Sequence, residues 1–308
     1  MKREENIQFM GWPNCIRLSN ADIEIVIATD IGLRILRFGF IGDENIFYLS
    51  PEDLGKRGGD VWRIYGGHRL WVAPETVPYY PDNDKVSFRF ENDTLIITQP
   101  VELVTGMMKE MEVSLSSDSN ELKVLHRLVN KNNHPVHSSA WGLSALAPGG
   151  KAIIPQEPFG DGDAFLLPVR SLALWSYTRM ADPRWTWGNK YIQAKQDPGV
   201  RGEHKLGVLN KQGWTAYCLE NNILIKVFAF DPVAEYPDYG SNTEIYFNDL
   251  FLEIETLGPL VQLSPNAITE HIEYWHLSKG RVEDAEDSID RQIAPLAVSY
   301  RNRKFPAP

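Results

Sequence analysis

Two glutamates stand two residues apart in the segment Leu252-Glu-Ile-Glu-Thr-Leu-Gly-Pro259. Because side chains alternate between the faces of a β-strand, a strand here places Glu253 and Glu255 on one face and the apolar residues on the other. Neighbouring carboxylates repel each other, which raises the pKa of one of them and makes it a usable acid or base near neutral pH. The pattern predicts a catalytic pair, although a plain edge strand would have the same pattern.

A second candidate segment is Tyr65-Gly-Gly-His-Arg-Leu-Trp-Val-Ala-Pro-Glu75. Paired glycines let the backbone bend tightly or let a ligand approach it closely. If a strand follows them, His68 faces one way while Arg69 and Trp71 face the other. We predict His68 as the general acid, with Arg69, Trp71 and Glu75 binding the substrate. The alternative is a His68 that is only hydrogen-bonded in the core.

Two further segments combine charged groups with aromatic neighbours. Asp182 and Arg184 precede two tryptophans, and an arginine in this setting can grip hydroxyl groups or a carboxylate. Tyr236 and Asp238 lie in an aromatic turn ahead of a strand. All four are predicted to bind substrate. The alternatives are an ion pair between Asp182 and Arg184 that orders a loop, and an Asp238 that only caps its turn.

Metal and nucleotide sites are poorly supported by the sequence. It contains neither a Gly-rich phosphate loop nor a His-Glu-x-x-His motif. His134 and His137 flank a proline and indicate a hairpin tip, whereas His271 and Glu273 share a strand face that a third ligand from elsewhere could complete. We predict no metal and no cofactor.

Composition narrows the class of ligand. The 308 residues carry a net charge of −10 and include nine Trp, twelve Tyr and thirteen Phe. The absence of a basic stripe excludes nucleic acid as a partner, and no apolar stretch is long enough for a membrane span. Without a signal-peptide pattern, a cytoplasmic monomer or homodimer is expected. Aromatic rings beside polar groups favour a small-molecule carbohydrate, and Cys15 and Cys218 are expected as free thiols.

A hydrophobic period of two dominates the chain and indicates strands. The segments with this pattern are 23–27, 32–39, 85–90, 94–98, 109–115, 121–129, 205–209, 214–219, 223–230, 243–247, 250–255 and 269–277. Residues 146–204 are predicted to form long loops over one face, and residues 301–304 a solvated tail. Only residues 282–294 have helical character. The prediction is an all-β protein, one large antiparallel β-sandwich domain over residues 1–308 with a short C-terminal helix.

Four short motifs occur along the chain between about residue 15 and residue 278. They are Gly32-Leu-Arg34-Ile35, Gly66-Gly-His68, the segment from Val129 to Leu143, and Leu252-Glu-Ile-Glu-Thr-Leu-Gly-Pro259. In these motifs and their order the sequence resembles the galactose mutarotase (aldose 1-epimerase) superfamily. The resemblance implies a supersandwich fold, a sugar substrate opened and reclosed by general acid/base catalysis, and a catalytic glutamate in the last motif. It also adds Arg34 to the predicted substrate-binding residues.

The sequence departs from the superfamily pattern at three places. The early motif is permuted, and Ala140-Trp141 stands where the resemblance places the general-acid histidine, so His137 is the second candidate acid. The late motif lacks the family's Gln and is off by a residue, so the family's glutamate maps to Glu253 or Glu255. We favour Glu255 because it directly precedes Thr-Leu-Gly-Pro. The predicted function is an epimerase-like enzyme; the alternatives are a non-catalytic carbohydrate-binding domain and a lyase or hydrolase acting on an acidic sugar.

Overall fold

Two antiparallel β-sheets stack face to face in the computed structural model, which describes residues 1–77, 79–157, 159–163 and 166–306. The front sheet has eleven strands in this part of the chain. They are β1 (Lys2–Phe9), β2 (Trp12–Ser19), β3 (Ile23–Ala28), β4 (Arg34–Phe40), β5 (Gly67–Ala73), β10 (Val136–Leu146), β12 (Leu172–Leu174), β15 (His204–Val208), β18 (Thr243–Phe247), β19 (Leu252–Leu257) and β20 (Val261–Leu263).

The back sheet has ten strands in the same described ranges. They are β6 (Ser87–Glu91), β7 (Thr94–Thr98), β8 (Met107–Leu115), β9 (Glu121–Asn130), β11 (Lys151–Pro155), β13 (Trp185–Trp187), β14 (Tyr191–Lys195), β16 (Trp214–Leu219), β17 (Asn222–Phe228) and β21 (Ile268–Lys279). All pairings in both sheets are antiparallel, which confirms the predicted all-β sandwich.

Each of the twelve segments predicted from alternation is a strand, with bounds within two residues of those expected. Alternation works here because the inward side chains of both sheets form one apolar core, in which Ile25, Leu70, Val124 and Ile254 are fully buried. Residues 146–204 differ from the prediction, since β11 to β14 lie within them. Two of these strands have only three residues, too few to show a period.

The C-terminal segment covers the outer face of the back sheet. Helices α2 (Glu286–Gln292) and α3 (Ala294–Lys304) bury Ile289, Ala297 and Tyr300 against Trp214 and Ile225. The predicted helix is confirmed, but α3 reaches further than expected.

Residues 301–304 form the last turn of α3 and are not a free tail. Arg303 and Lys304 there pair with Glu121, and cations in a last turn suit the helix dipole.

In the described residues, no helix has the length and apolar character needed to cross a bilayer. Both cysteines are free thiols, as expected.

Candidate active site

The outer face of the front sheet carries a pocket at its centre. Neighbouring strands β5, β10, β19, β18 and β15 form the floor of this pocket. Since side chains alternate, these strands direct one set of residues into the core and the other into the pocket. The pocket-facing set is Arg69, Trp71, Trp141, Leu143, Lys205, Tyr246, Glu253 and Glu255.

Glu255 lies at the middle of the floor and is 1% exposed. Its Oε2 accepts a hydrogen bond from Trp141 Nε1 at 2.9 Å and another from Lys205 Nζ at 2.9 Å. Oε1 carries no bond to a described residue and is therefore the oxygen left for a ligand. Lys205 also pairs with Glu244 at 2.8 Å. Burial opposes the charge of Lys205, but the two glutamates outweigh it and raise its pKa above the usual value.

Glu253 forms the second ion pair of the floor. Its Oε1 accepts a hydrogen bond from Arg69 Nη1 at 2.8 Å, and both side chains are 8% exposed. Burial raises the pKa of Glu253, Arg69 opposes this rise, and the negative charge of Glu255 adds to it. The edge-strand alternative is wrong, because β19 lies between β10 and β18 and all six of its residues are buried.

Loops form the sides of the pocket, called its aromatic walls here because most of their lining residues are aromatic. The lining residues that they contribute are Trp62, Ile64, Glu75, Tyr79, Trp175, Tyr177 and Phe251. Lys205 Nζ lies 4.6 Å from the ring centre of Trp141 and 4.8 Å from that of Trp175, so the ammonium forms cation–π contacts with both indoles. The cavity volume is about 130 Å³.

Glu75 is the pocket carboxyl group that lacks an ion pair with any described residue. It lies on the solvent-exposed rim of the pocket. Desolvation is the main cause that raises the pKa of Glu75; Lys205 opposes this rise and the charge of Glu255 adds to it. The pocket therefore holds one carboxyl group that accepts two hydrogen bonds, Glu255, and one whose pKa is raised, Glu75.

A buried polar cluster occupies the other side of the same strands, between the two sheets. Lys226 donates to Ser144 Oγ at 3.1 Å, and Ser144 Oγ lies 2.8 Å from His68 Nδ1. His68 Nε2 lies 2.6 Å from His126 Nε2, and His126 Nδ1 lies 3.0 Å from the carbonyl oxygen of His271. Since His126 must donate to that carbonyl, its Nε2 accepts from His68, and His68 accepts from Ser144. Both rings are neutral in this arrangement.

Glu273 is the anion of this cluster. Its Oε1 lies 2.8 Å from Lys226 Nζ, and its Oε2 accepts a hydrogen bond from Trp275 Nε1 at 2.6 Å. Thr256 donates to the same carboxylate and lies 2.7 Å from His271 Nε2. Burial alone would raise the pKa of Glu273, but Lys226 and the surrounding histidines hold it below the usual range.

His68, His126 and Glu273 bring metal-ligating atoms within 4.8 Å of one another. The Lys226 ammonium already occupies the carboxylate, and the imidazole nitrogens are paired with each other and with protein groups. A divalent cation would have to displace this ammonium, so the donor set does not fit a metal. Our expectation that no metal or cofactor is needed stays a prediction.

The cluster gives the protein a predicted dependence of stability on pH. Burial is the main cause that lowers the pKa of His68 and His126, and it lowers the pKa of His271 to about 3. The folded protein therefore excludes protons that the unfolded chain binds below a pH of about 6.5. Each excluded proton makes the free energy of unfolding fall by about 1.4 kcal/mol per pH unit, as pH drops from about 6.5 toward the folded pKa.

Urea denaturation at pH 7, 6 and 5 measures this slope. His126→Gln is expected to reduce the slope by close to one proton, because the amide does not titrate. His134→Gln, which changes an exposed residue on a turn, should leave the slope as it is in the wild type. An unchanged slope in His126→Gln would contradict the assignment of a neutral, proton-excluding histidine.

No family model matches this sequence, and no curated protein matches it either. Solved structures do resemble the fold. A galactose mutarotase-like protein from Lactobacillus casei has 12% identity and a TM-score of 0.55, with 86% of this chain and 100% of that chain covered. A galactose mutarotase-like protein from Clostridium acetobutylicum has 12% identity and a TM-score of 0.53, with 90% and 98% covered. The chain has the galactose mutarotase-like fold.

The fold also occurs within longer proteins. A TPR-domain-containing protein from Parabacteroides distasonis matches at 14% identity and a TM-score of 0.59, over 88% of this chain and 48% of that one. The chain spans about half the length of that protein. At these identities the likeness shows the galactose mutarotase-like fold alone.

On this fold, five of the predicted site residues converge on the pocket, namely Arg69, Trp71, Glu75, Glu253 and Glu255. His68 does not, since its side chain is fully buried on the core side of β5 and hydrogen-bonded there. The prediction of His68 as the acid is wrong for this reason. His137 lies outside the pocket as well, on an exposed part of β10 that pairs with Gln262 of β20.

Four of the other predicted substrate-binding residues lie outside the pocket. Asp182 lies 2.9 Å from Arg184 Nε, and Arg184 also donates to the carbonyl oxygens of residues 200 and 202, so the alternative of a loop-ordering ion pair holds. This pair does not line the pocket, and neither do Tyr236 and Asp238. Tyr236 stacks on a phenylalanine, and Asp238 adopts φ 50° in the one-turn helix α1 (Pro237–Gly240).

Arg34 neighbours Arg69 across β4 and β5, but the carbonyl oxygens of Ile64 and Gly66 cover its guanidinium. Arg34 is fully buried, and burial lowers its pKa to about 10 although Asp82 opposes this. It does not line the pocket.

Sequence reasoning missed Lys205 and most of the aromatic wall. A lysine inside the apolar run Lys205-Leu-Gly-Val-Leu209 was the available signal, because a charge on an otherwise buried strand requires a partner. Trp141 offered a signal too, as it stands where the superfamily pattern has a histidine. No local pattern distinguishes Trp175 or Tyr177, which reach the pocket from a long loop.

Proposed function

We propose that this protein is an aldose epimerase of the mutarotase type, with Glu255 as the general base and Glu75 as the general acid. The observation that carries the proposal is the presence of these two carboxyl groups in one aromatic pocket with different surroundings. Trp141 and Lys205 donate to Glu255, whereas Glu75 lies on the rim and has its pKa raised by desolvation. Two carboxyl groups in different environments can divide the roles of acid and base.

The chemistry needs one proton removed and one proton supplied. Glu255 takes the proton of the anomeric hydroxyl group while Glu75 protonates the ring oxygen, so the C1–O5 bond breaks and an open-chain aldehyde forms. Rotation about the C1–C2 bond and reversal of both transfers recloses the ring on either face. The aromatic walls pack against the C–H faces of the sugar and exclude water. The galactose mutarotase-like fold supports a carbohydrate ligand.

Polarimetry on freshly dissolved α-anomers of several aldoses tests the proposal. The wild type should accelerate the approach to anomeric equilibrium for at least one aldose, whereas no rate above buffer with any sugar would contradict an epimerase. A sugar that binds without being turned over would instead favour the alternative of a non-catalytic carbohydrate-binding domain.

Glu75→Gln tests the assignment of the acid. We expect kcat to fall by about 10²–10⁴-fold, as is typical when a general acid is lost. In the wild type, kcat should also decline as pH rises through the elevated pKa of Glu75, and this limb of the profile should vanish in the variant. Glu91→Gln, an exposed carboxylate of β6 paired with Arg89, is the matched control. A Glu75→Gln variant that keeps the wild-type profile would remove Glu75 from the mechanism.

A further inference from the structure

Every cation that lines the described part of the pocket is already covered by a carboxylate. Arg69 pairs with Glu253 at 2.8 Å, and Lys205 pairs with Glu255 at 2.9 Å and with Glu244 at 2.8 Å. The charged lining residues are three glutamates against one arginine and one lysine. The pocket therefore offers a ligand no free positive charge.

This pocket would bind a sugar with an anionic substituent poorly. Recognition of a carboxylate or phosphate in a protein site relies on an arginine or lysine that is free to form charge-assisted hydrogen bonds. In this pocket the substituent would lose water and lie close to carboxylates instead, and like charges at close range oppose binding.

We propose that the pocket takes an uncharged aldose and rejects uronates and sugar phosphates, and that Glu253 sets this selectivity by occupying the guanidinium of Arg69. The inference rests on the proposed function, because it names the substrate class of the same site. It also separates the epimerase from a lyase or hydrolase that acts on an acidic sugar.

Arg69 is the cation that a single substitution can release. Glu253 is its one carboxylate partner among the described residues. Lys205, in contrast, lies between two carboxylates and two indole rings, so removing one glutamate leaves it paired. Glu253→Gln keeps the size of the side chain and removes its charge. The variant leaves a guanidinium without a counter-charge on the pocket floor, beside the ligand.

The experiment compares neutral and anionic sugars of the same stereochemistry. Binding is followed at low ionic strength by the fluorescence of the pocket tryptophans, with glucose against glucuronate, galactose against galacturonate, and mannose against mannuronate. For each pair whose aldose binds the wild type, the Kd of the aldose should be at least about tenfold lower than the Kd of the uronate. In Glu253→Gln, the ratio should shift toward the uronate by about tenfold or more.

Asp182→Asn is the matched control, since it also uncovers a buried arginine, Arg184, but away from the pocket. It should leave the ratio of neutral to anionic sugar unchanged. If a uronate binds the wild type as tightly as its aldose, the inference is overturned while the epimerase proposal stands. This comparison requires no variant. A folded Glu253→Gln with an unchanged ratio overturns the role of Glu253. Failure of every sugar to bind removes the proposed function, and this inference with it.

Discussion

Glu255→Gln is expected to reduce kcat for aldose mutarotation by about 10²–10⁴-fold while the protein remains folded. The amide oxygen can still accept the hydrogen bonds that Trp141 and Lys205 direct at this side chain. It cannot take a proton from the anomeric hydroxyl group, so binding survives and the chemical step is lost. Polarimetry gives kcat, tryptophan fluorescence gives Kd, and circular dichroism reports folding.

Glu112→Gln is a suitable control for this experiment. Glu112 lies on β8 of the back sheet and pairs with Arg127, remote from the pocket lining. Its replacement should leave both kcat and Kd at wild-type values. A Glu255→Gln variant that retains more than about a tenth of the wild-type kcat would exclude Glu255 as the base.

Lys226→Met is expected to lower the free energy of unfolding by about 3–5 kcal/mol, the typical loss when one partner of a buried ion pair is removed. Lys226 and Glu273 have fully buried side chains. Methionine fills a similar volume but leaves the carboxylate uncompensated between the sheets. Urea denaturation at pH 7 measures the loss.

The double variant Lys226→Met, Glu273→Gln should be more stable than Lys226→Met alone, because the second change removes the uncompensated charge and keeps one side-chain oxygen as an acceptor for the donors Thr256 and Trp275. Lys279→Met breaks an exposed pair with Asp43 and should cost less than about 1 kcal/mol. If Lys226→Met costs no more than Lys279→Met, the interior pair does not stabilise the folded protein.

The strands could be predicted because one physical rule governs them. Most inward side chains are apolar and most outward ones are polar, so the period of two was visible in all twelve predicted segments. The same rule put Glu253, Glu255, Arg69 and Trp71 on a common face once β5 and β19 were placed. What the period cannot show is which face of a sheet is the core when both faces are covered.

His68 illustrates that difficulty. The alternation in this segment correctly predicted that His68 faces away from Arg69. Polar residues line the core side as well, including Ser144, Thr256 and Glu273. A histidine beside glycines therefore resembled a site residue although it belongs to the interior network. Contacts such as His68 with His126 join residues 58 positions apart, and no local pattern encodes such pairs.

The strand that carries Glu255 is packed on both of its faces, and this limits where the protein can change its ligand. A Cβ atom added to Gly142 on the neighbouring strand would lie 3.1 Å from the Glu273 carboxylate and 3.2 Å from the His126 ring. A side chain at this position would thus disturb the polar cluster between the sheets. The wall positions Trp62, Tyr79 and Tyr177 lie on loops outside the sheets. Laboratory evolution toward a new sugar should therefore collect its first tolerated substitutions in the walls.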